Sequence, residues 1–236
     1  METSRVLLIV TSSDRMGTAL EPTGFWLEEV AAPYYAFTDA RCDVTIASPQ
    51  GGEAPMDARS NDEENQTAST RRFACDVKAQ HKLAHTMKLA SINADAYDAV
   101  FFAGGHGTMN DFVHDPSVAR VAAQALEAGK PTALVGHGPA ALVNATGANG
   151  TPLVAGRTIT CFTDEEEALV GLSAQVPFLL ASRLGELGAQ LQSGPAFQSH
   201  VVTDANLITG QNPASSIAVA EAVIHQLRAQ AMQHAA

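Results

Sequence analysis

The sequence predicts a single α/β domain whose mostly parallel sheet is covered by helices on both faces. Continuous apolar runs at residues 5–11, 43–47, 99–103 and 132–135 are typical of strands that are buried on both faces. Segments with helical spacing alternate with these runs, which indicates parallel strands joined by helices. A chain of 236 residues that is 46% hydrophobic is long enough for one sizeable core. We therefore expect one domain over 1–236.

One helix is predicted between the first and second strands. Apolar residues recur there at helical spacing, at Val30, Tyr34 and Phe37. The second strand, at residues 43–47, ends at a Ser-Pro pair, and the third strand, at residues 99–103, runs into the sequence GGHG. Glycines directly after a strand are common turn formers.

Residues 53–90 do not follow the strand–helix alternation. The first part, residues 53–72, is polar and charged, and the later part could form a helix over 78–89 with Leu83 and Met87 on one side. We expect this stretch to be a surface insertion that forms a small cap.

The second half of the chain continues the alternation and closes with a hairpin and a long helix. Asp204 and Ala205 lie between two short apolar runs, which is a hairpin signal. Asn212 and Pro213 are suited to the cap and first-turn positions of the last helix. The predicted elements are a helix at 117–128 stopped by Gly129, strands at 132–135 and 157–162, a helix at 176–187, strands at 200–203 and 206–209, and a helix at 214–233.

Composition excludes several classes of function. Fourteen Lys and Arg against 25 Asp and Glu give a net charge of −11, which disfavours binding to nucleic acids and anionic membranes. No run of 18 apolar residues occurs, and the first ten residues lack the basic region and cleavage site of a secretory leader, so we expect a cytoplasmic protein. The three cysteines are too widely spaced for a disulfide framework or a zinc pattern: Cys42, Cys75 and Cys161.

A metal site is not predicted. His81 and His85 are four residues apart on a possible helix and would share one face, but no third ligand accompanies them at a motif spacing. A solvated helix face is the better interpretation, and we expect the protein to need neither a metal nor another cofactor.

The chemistry is expected to centre on residues 133–142, ALVGHGPAAL. An apolar strand runs there into a glycine-bounded turn, which lifts a side chain above the carboxyl end of a parallel sheet. Free backbone N–H groups collect at this edge. The position that should carry a nucleophile is Gly136, which has no side chain.

This stretch resembles the nucleophile elbow of the ThiJ/PfpI superfamily, which is class I glutamine amidotransferase-like. The family's turn normally reads Cys-His-Gly-Pro-Ala-Ala, and residues 137–141 match it without the cysteine. Further stretches resemble the same superfamily in the order of its branch of heat-shock chaperones and cofactor-independent glyoxalases: TGFWLEEVAAPY, ASPQGG, YDAVFFAGGHGTMNDF, FTDEEEALVGL and LITGQNPASS. The resemblance spans nearly the whole chain and implies a three-layer flavodoxin-like sandwich and a homodimer.

The resemblance also implies a pocket carboxyl and an oxyanion hole. Glu29, four residues before a proline, matches the carboxyl that normally bonds to the elbow cysteine, beside the apolar Trp26. A carboxyl in an apolar pocket should have a raised pKa and could carry a proton near neutral pH. The N–H groups of Gly105 and His137 match the oxyanion hole, and His106 lies in the same glycine-rich turn. Solvated acidic residues near a helix start are the alternative for Glu29.

By the same resemblance, His137 is the family's catalytic histidine and Glu167 is the carboxylate that orients it. Asp164 and Glu166 are alternatives for the second role, since all three belong to one acidic helix start. Asn110 replaces an aromatic residue that is usual in this branch, which suggests a more polar ligand in the pocket.

Glycine at position 136 rules out the family's covalent thiol chemistry. In the first hypothesis, Glu29 moves protons without a covalent intermediate, and the volume left by the thiol admits water or a bulkier substrate. A small carbonyl compound or related electrophile would then be hydrated, dehydrated or tautomerised. In the second, Cys161 supplies a relocated thiol, against the alternative of a buried structural cysteine. In the third, the protein is a non-catalytic stress chaperone or ligand-binding protein, or a glyoxalase inactivated by a Cys-to-Gly change that is natural or engineered. We favour the first.

Overall fold

The computed structural model describes residues 3–16 and 22–234 and confirms the predicted fold class. Seven strands form one sheet in the order β3-β2-β1-β4-β5-β9-β8, and the β8–β9 pair is antiparallel while the other pairs are parallel. The strands of this sheet are β1 (Arg5–Ile9), β2 (Asp43–Ser48), β3 (Met87–Lys88), β4 (Ala99–Phe102), β5 (Thr132–Val135), β8 (Val201–Asp204) and β9 (Leu207–Gly210). Two further strands, β6 (Thr158–Ile159) and β7 (Gln190–Leu191), form a small separate sheet.

Helices cover both faces of the large sheet, which explains why its central strands β4, β5 and β9 are fully buried. On β1, Leu7 and Ile9 belong to one core cluster, while Val6 and Leu8 belong to the other. The helices α1 and α8 pack on one side, and α5 and α7 pack on the other. The helices are α1 (Leu27–Asp39), α2 (Ala68–Ala74), α3 (Val77–Ala84), α4 (Thr108–Asp111), α5 (Pro116–Glu127), α6 (Asp164–Leu169), α7 (Leu180–Glu186) and α8 (Ser216–His234).

The closing hairpin is confirmed. Asp204 pairs with Leu207 across the turn, and Ala205 adopts a positive φ of 53° within it. Along the part of the chain that the structure describes, no helix is both long and apolar enough to cross a bilayer.

Residues 53–90 only partly match the predicted cap. Short turns at Ala58–Asn61 and Glu63–Asn65 are followed by α2 and α3, and the segment then enters the sheet as edge strand β3. The predicted helix over 78–89 is therefore wrong in its last part, because Thr86 exchanges backbone hydrogen bonds of 2.9 Å with Gly52 and is drawn to the sheet edge. Met87 lies in β3 and is exposed rather than on a helix face.

Three other predicted elements are shorter than expected. The predicted strand over 157–162 is paired only at Thr158–Ile159, in the small sheet. Its later residues leave that sheet for the elbow turn after β5, where the N–H of Phe162 donates to the carbonyl of Gly136 at 2.9 Å. The predicted helix over 176–187 begins at Leu180. Pro177 disfavours helical backbone at the preceding residue, Val176. The last helix begins at Ser216, because residues 213–215 form a 3₁₀ turn before it. Asn212 is the N-cap residue of that turn and Pro213 lies in its first positions, as predicted, but the side chain of Asn212 makes no capping bond.

Candidate active site

The elbow turn follows β5 directly and has a backbone conformation that favours glycine. Gly136 has a φ of +58°, a left-handed conformation that side chains other than glycine disfavour. Its N–H donates to the carbonyl of Gly210 at 2.9 Å, which anchors the turn to the end of β9. The chain then forms a short 3₁₀ turn, Gly138–Leu142, that places His137 at its start.

The carboxyl of Glu29 occupies the position that a side chain at residue 136 would need. Glu29 lies in the first turn of α1 and is 2% exposed. A Cβ added to Gly136 would overlap Oε1 of Glu29 and would lie 2.8 Å from its Oε2. The volume that the missing thiol was expected to leave for water or a bulkier substrate is therefore filled by this carboxyl.

Burial changes the acidity of Glu29. Oε2 accepts a hydrogen bond of 2.7 Å from the N–H of Gly104. Desolvation outweighs that bond and, with the nearby negative charges of Glu28 and Glu166, raises the pKa of Glu29 to about 8. At neutral pH this carboxyl is mostly protonated and can donate a proton.

Two backbone N–H groups face the same region. Gly105 has a φ of +109°, and a Cβ there would lie 2.5 Å from the backbone nitrogen of Trp26. Glycine therefore allows these two segments of the backbone to approach closely. Within residues 3–16 and 22–234, no acceptor takes the N–H of Gly105 or of His137. Thr108 holds the two turns together, since its hydroxyl is 2.8 Å from the carbonyl of Gly105 and 3.1 Å from that of His137.

Two histidines share one carboxylate beside these donors. Nε2 of His106 is 2.8 Å from Oε1 of Glu167, and Nε2 of His137 is 2.8 Å from its Oε2. The two rings lie 4.2 Å apart, and all three residues are buried. Nδ1 of His106 is buried and has no hydrogen-bond partner among the described atoms.

The protonation states of this cluster follow from its surroundings. Burial alone would raise the pKa of Glu167, but hydrogen bonds from His106 and His137 outweigh it and lower that pKa to about 2. Burial, followed by the neighbouring His106, lowers the pKa of His137 to about 4. At neutral pH Glu167 is therefore an anion and His137 is neutral. Its Nε2 donates to Glu167, so the ring nitrogen left to accept a proton is Nδ1, which the lowered pKa makes a weak base.

Three acidic residues at the start of α6, Asp164, Glu166 and Glu167, make different contacts. Glu167 is the one that contacts His137, whereas Asp164 accepts the hydroxyl of Ser182. Glu166 caps the helix, since its Oε2 accepts the N–H of Thr163 at 3.0 Å and its Oε1 accepts the amide of Asn212 at 2.8 Å. The structural roles of Glu166 and Asn212 were not predicted, although Thr163 and Glu166 have the spacing of a capping box.

A cavity of about 710 Å³ opens above these groups. Most of the residues predicted for the pocket line it: Trp26, Glu29, Gly105, His106 and His137. The inserted segment supplies polar groups to the wall, among them Arg59, Asp62 and Thr67. The hydroxyl of Thr67 donates to Oε2 of Glu28 at 2.6 Å, which joins the insertion to α1 at the cavity.

Two predicted pocket residues are not in its wall. Asn110 points to the loop after β1, where its amide donates to the carbonyl of Arg15 and to the hydroxyl of Ser13, so it does not make the cavity more polar. Cys161 is 2% exposed in the apolar core on the α5 side of the sheet, and burial raises the pKa of its thiol. A thiol in that environment is not a nucleophile for this cavity.

The only group in the described chain with the ligand atoms for a metal ion is the cluster of His106, His137 and Glu167, whose candidate atoms lie within 4.8 Å of one another. Each Nε2 is already hydrogen-bonded to Glu167, and Nδ1 of His106 lacks the outer partner that metal-bound histidines usually have. The rings of His81 and His85 stack at 4.2 Å, and His85 bonds to the carbonyl of His81.

Comparisons with a family model and with known proteins identify the same family. The sequence model of the DJ-1/PfpI family matches residues 20–226. The chain is 30% identical to the glutathione-independent glyoxalase HSP31 of Saccharomyces cerevisiae, over 97% of this chain and 100% of that protein. It is 26% identical to glyoxalase 3 of Candida albicans, over 93% of this chain and 97% of that protein.

Solved structures agree with this relationship. The Rapid Encystment Protein 24 kDa of Francisella tularensis superposes with a TM-score of 0.91 at 36% identity, covering 95% of this chain and 99% of that one. The glyoxalase III of Candida albicans superposes with a TM-score of 0.86 at 26% identity, covering 94% of this chain and 96% of that one.

Proposed function

The chain belongs to the DJ-1/PfpI family, and from that premise we propose that it is a cofactor-free enzyme that acts on a small carbonyl compound or related electrophile by acid–base chemistry. The reaction is a hydration, a dehydration or a tautomerisation and involves no covalent thiol. Relatives from Saccharomyces cerevisiae and Candida albicans are named as glyoxalases, which supports a small carbonyl substrate.

The observation that carries this proposal is the placement of Glu29 at the elbow. Its carboxyl lies where the side chain of residue 136 would begin, and burial raises its pKa to about 8. A protonated carboxyl at that position can donate to a substrate oxygen at neutral pH. A thiol at residue 136 would have to displace it.

The groups around Glu29 support a complete reaction. The carbonyl oxygen of the substrate binds the free N–H groups of Gly105 and His137, which stabilise negative charge as it develops. In a hydration, the oxygen of water bonds to the carbonyl carbon and Glu29 protonates the carbonyl oxygen. The proton that water loses passes to the neutral ring of His137, and the anionic Glu167 stabilises the resulting cation. Proton transfer back to Glu29 restores the starting states.

Exposed apolar side chains support a second candidate, a stress chaperone or ligand-binding protein. Leu169 is 61% exposed, Val170 is 42% exposed and Phe197 is 47% exposed, and the last two line the cavity. Suppression of the aggregation of a heated client at a stoichiometric ratio would favour this candidate. The homodimer stays a prediction from the family resemblance, which light scattering on the purified protein would test.

Isotope exchange tests the proposed chemistry. The protein is incubated with hydroxyacetone in H₂¹⁸O and in D₂O, and with methylglyoxal in a parallel lactate assay. We expect enzyme-dependent ¹⁸O in the ketone for a hydration, or deuterium on its α-carbons for a tautomerisation. The Glu29→Gln variant should lose this activity, while Glu165→Gln, an exposed neighbour of the cluster, should keep it. Activity that appears only in Gly136→Cys would overturn the proposal and indicate an inactivated glyoxalase.

A further inference from the structure

The loop over residues 194–198 holds a phenylalanine in a backbone conformation that phenylalanine disfavours. Phe197 has a φ of +57°, in the left-handed region. Bulky residues persist there only when the surrounding structure determines the conformation, and such positions cluster at ligand sites.

Three buried polar side chains hold this loop in place. Oε1 of Glu166 accepts the N–H of Phe197 at 2.7 Å. The amide of Gln211 accepts the N–H of Gly194 at 2.8 Å, and the amide of Asn212 donates to the carbonyl of Gln198 at 2.8 Å. Glu166, Gln211 and Asn212 are all fully buried. Glu166 ties the loop to the helix start that carries Glu167, and the other two tie it to the segment after β9.

These hydrogen bonds hold the phenyl side chain of Phe197 at the mouth of the cavity. The ring of Phe197 lies 6.4 Å from the ring of Phe162, which in turn lies 4.5 Å from the ring of His137. Val170 and Leu172 also line the cavity. A continuous apolar surface therefore leads from the mouth to the candidate catalytic histidine.

The size and charge of the cavity indicate what this surface binds. Its volume of about 710 Å³ lies within the range of roughly 300–1,000 Å³ that encloses drug-sized ligands, and a three-carbon compound would leave most of it empty. Three carboxyl side chains, Glu28, Asp62 and Glu64, line it against one guanidinium, that of Arg59, and this balance disfavours anionic ligands.

We propose that Phe197 is a specificity-determining residue, and that its ring packs against an aryl-sized apolar substituent of an uncharged carbonyl substrate. This inference rests on the proposed function, because it assumes that the reacting carbonyl lies at Gly105 and His137. The substituent then extends along Phe162 and Val170 to the mouth, where Phe197 covers it.

The test compares two uncharged amides that differ only in a phenyl group for a methyl group. Mandelamide and lactamide both offer a carbonyl oxygen and a hydroxyl, and neither needs to react. Their dissociation constants are measured by titration calorimetry on the unaltered protein and on Phe197→Ala, Phe197→Tyr and Leu169→Ala. Leu169 is the matched control, since it is exposed near the same wall but does not line the cavity.

We expect mandelamide to bind the unaltered protein at least tenfold more tightly than lactamide. This ratio should fall at least fivefold in Phe197→Ala and stay within twofold in Phe197→Tyr and Leu169→Ala. Equal binding of the two amides, binding of neither, or a ratio that Phe197→Ala leaves unchanged would overturn the inference. Because binding is measured without turnover, failure here is distinct from failure of the proposed reaction, which isotope exchange reports.

Discussion

The carboxyl of Glu29 lies beside the α-carbon of Gly136, in the space that a side chain at residue 136 would need. A Cβ on Gly136 would lie 2.8 Å from Oε2 and 2.9 Å from Cδ of Glu29. The glycine is therefore matched to its surroundings, since the adjacent carboxyl fills the site and is itself buried and hydrogen-bonded to Gly104.

Replacing Gly136 with alanine should destabilise the protein for two reasons. The left-handed backbone conformation costs about 1–2 kcal/mol for a residue with a Cβ, and the carboxyl of Glu29 must also move. Gly129 provides the matched control, because its φ of +71° imposes the same backbone cost while a Cβ there meets nothing within 4 Å. We expect chemical denaturation to show a larger loss of unfolding free energy for Gly136→Ala than for Gly129→Ala. Equal losses would show that Glu29 does not restrict the site.

Glu29→Gln should change how stability depends on pH. The folded-state pKa of about 8 lies above the ordinary value of 4.5, so the folded protein holds a proton that the unfolded chain releases between these values. The stabilising contribution is present below pH 4.5 and is lost as the pH rises towards 8. Relative to Glu29→Gln, the unaltered protein should lose up to about 1.4 kcal/mol per pH unit across this window.

The measurement is the unfolding free energy from urea titrations at several pH values from 5 to 9. Glu165→Gln serves as the control, because that exposed carboxyl should give a curve parallel to that of the unaltered protein. A curve for Glu29→Gln that is also parallel would contradict the raised pKa of Glu29.

Glu167→Gln should be strongly destabilising at neutral pH. The change removes a buried anion that accepts hydrogen bonds from two histidines, and we expect a loss of about 2–4 kcal/mol. In the unaltered protein this stabilisation is present above pH 4.5 and is lost as the pH falls towards 2, the value to which the pKa of Glu167 is lowered. Calorimetric melting of Glu167→Gln beside Glu165→Gln checks this, and a loss no larger than that of the exposed control would refute it.

The cysteines should differ in their reactivity towards a thiol reagent. Cys75 is exposed, whereas Cys161 is buried and burial raises its pKa. In the native state we expect an aromatic disulfide reagent to modify Cys75 rapidly and Cys161 only after unfolding. Peptide mass spectrometry identifies the modified positions. Rapid native labelling of Cys161, together with loss of activity in Cys161→Ser, would restore the hypothesis of a relocated thiol.

The fold could be predicted because its central strands are buried on both sides. The runs that contain Leu8, Phe101 and Leu134 have no polar face, which is typical of a parallel sheet between two helical layers. Element ends were predicted less well. The end of α3 before β3 depends on the backbone hydrogen bonds between Thr86 and Gly52, which are far apart in the sequence.

Most residues that the motifs singled out line one cavity, but the directions of side chains could not be derived from motif positions. Cys161 and Asn110 both lie close to the site in sequence, yet one faces the core and the other faces a neighbouring loop. The contact between Glu29 and Gly136 depends on how α1 packs against β1, β2 and α8, and only the family resemblance, not a local pattern, led us to expect it. The positive φ of Phe197 leaves no trace in the sequence, since that residue type normally avoids it.

The turnover of Glu29→Gln tests the central claim most directly. The rate of isotope exchange into hydroxyacetone is measured for the unaltered protein, for Glu29→Gln and for Glu165→Gln, with circular dichroism and melting curves as checks on folding. The account predicts a loss of roughly 100-fold or more in Glu29→Gln and no change beyond twofold in Glu165→Gln, both with folding intact. Full activity in a folded Glu29→Gln protein would contradict the account.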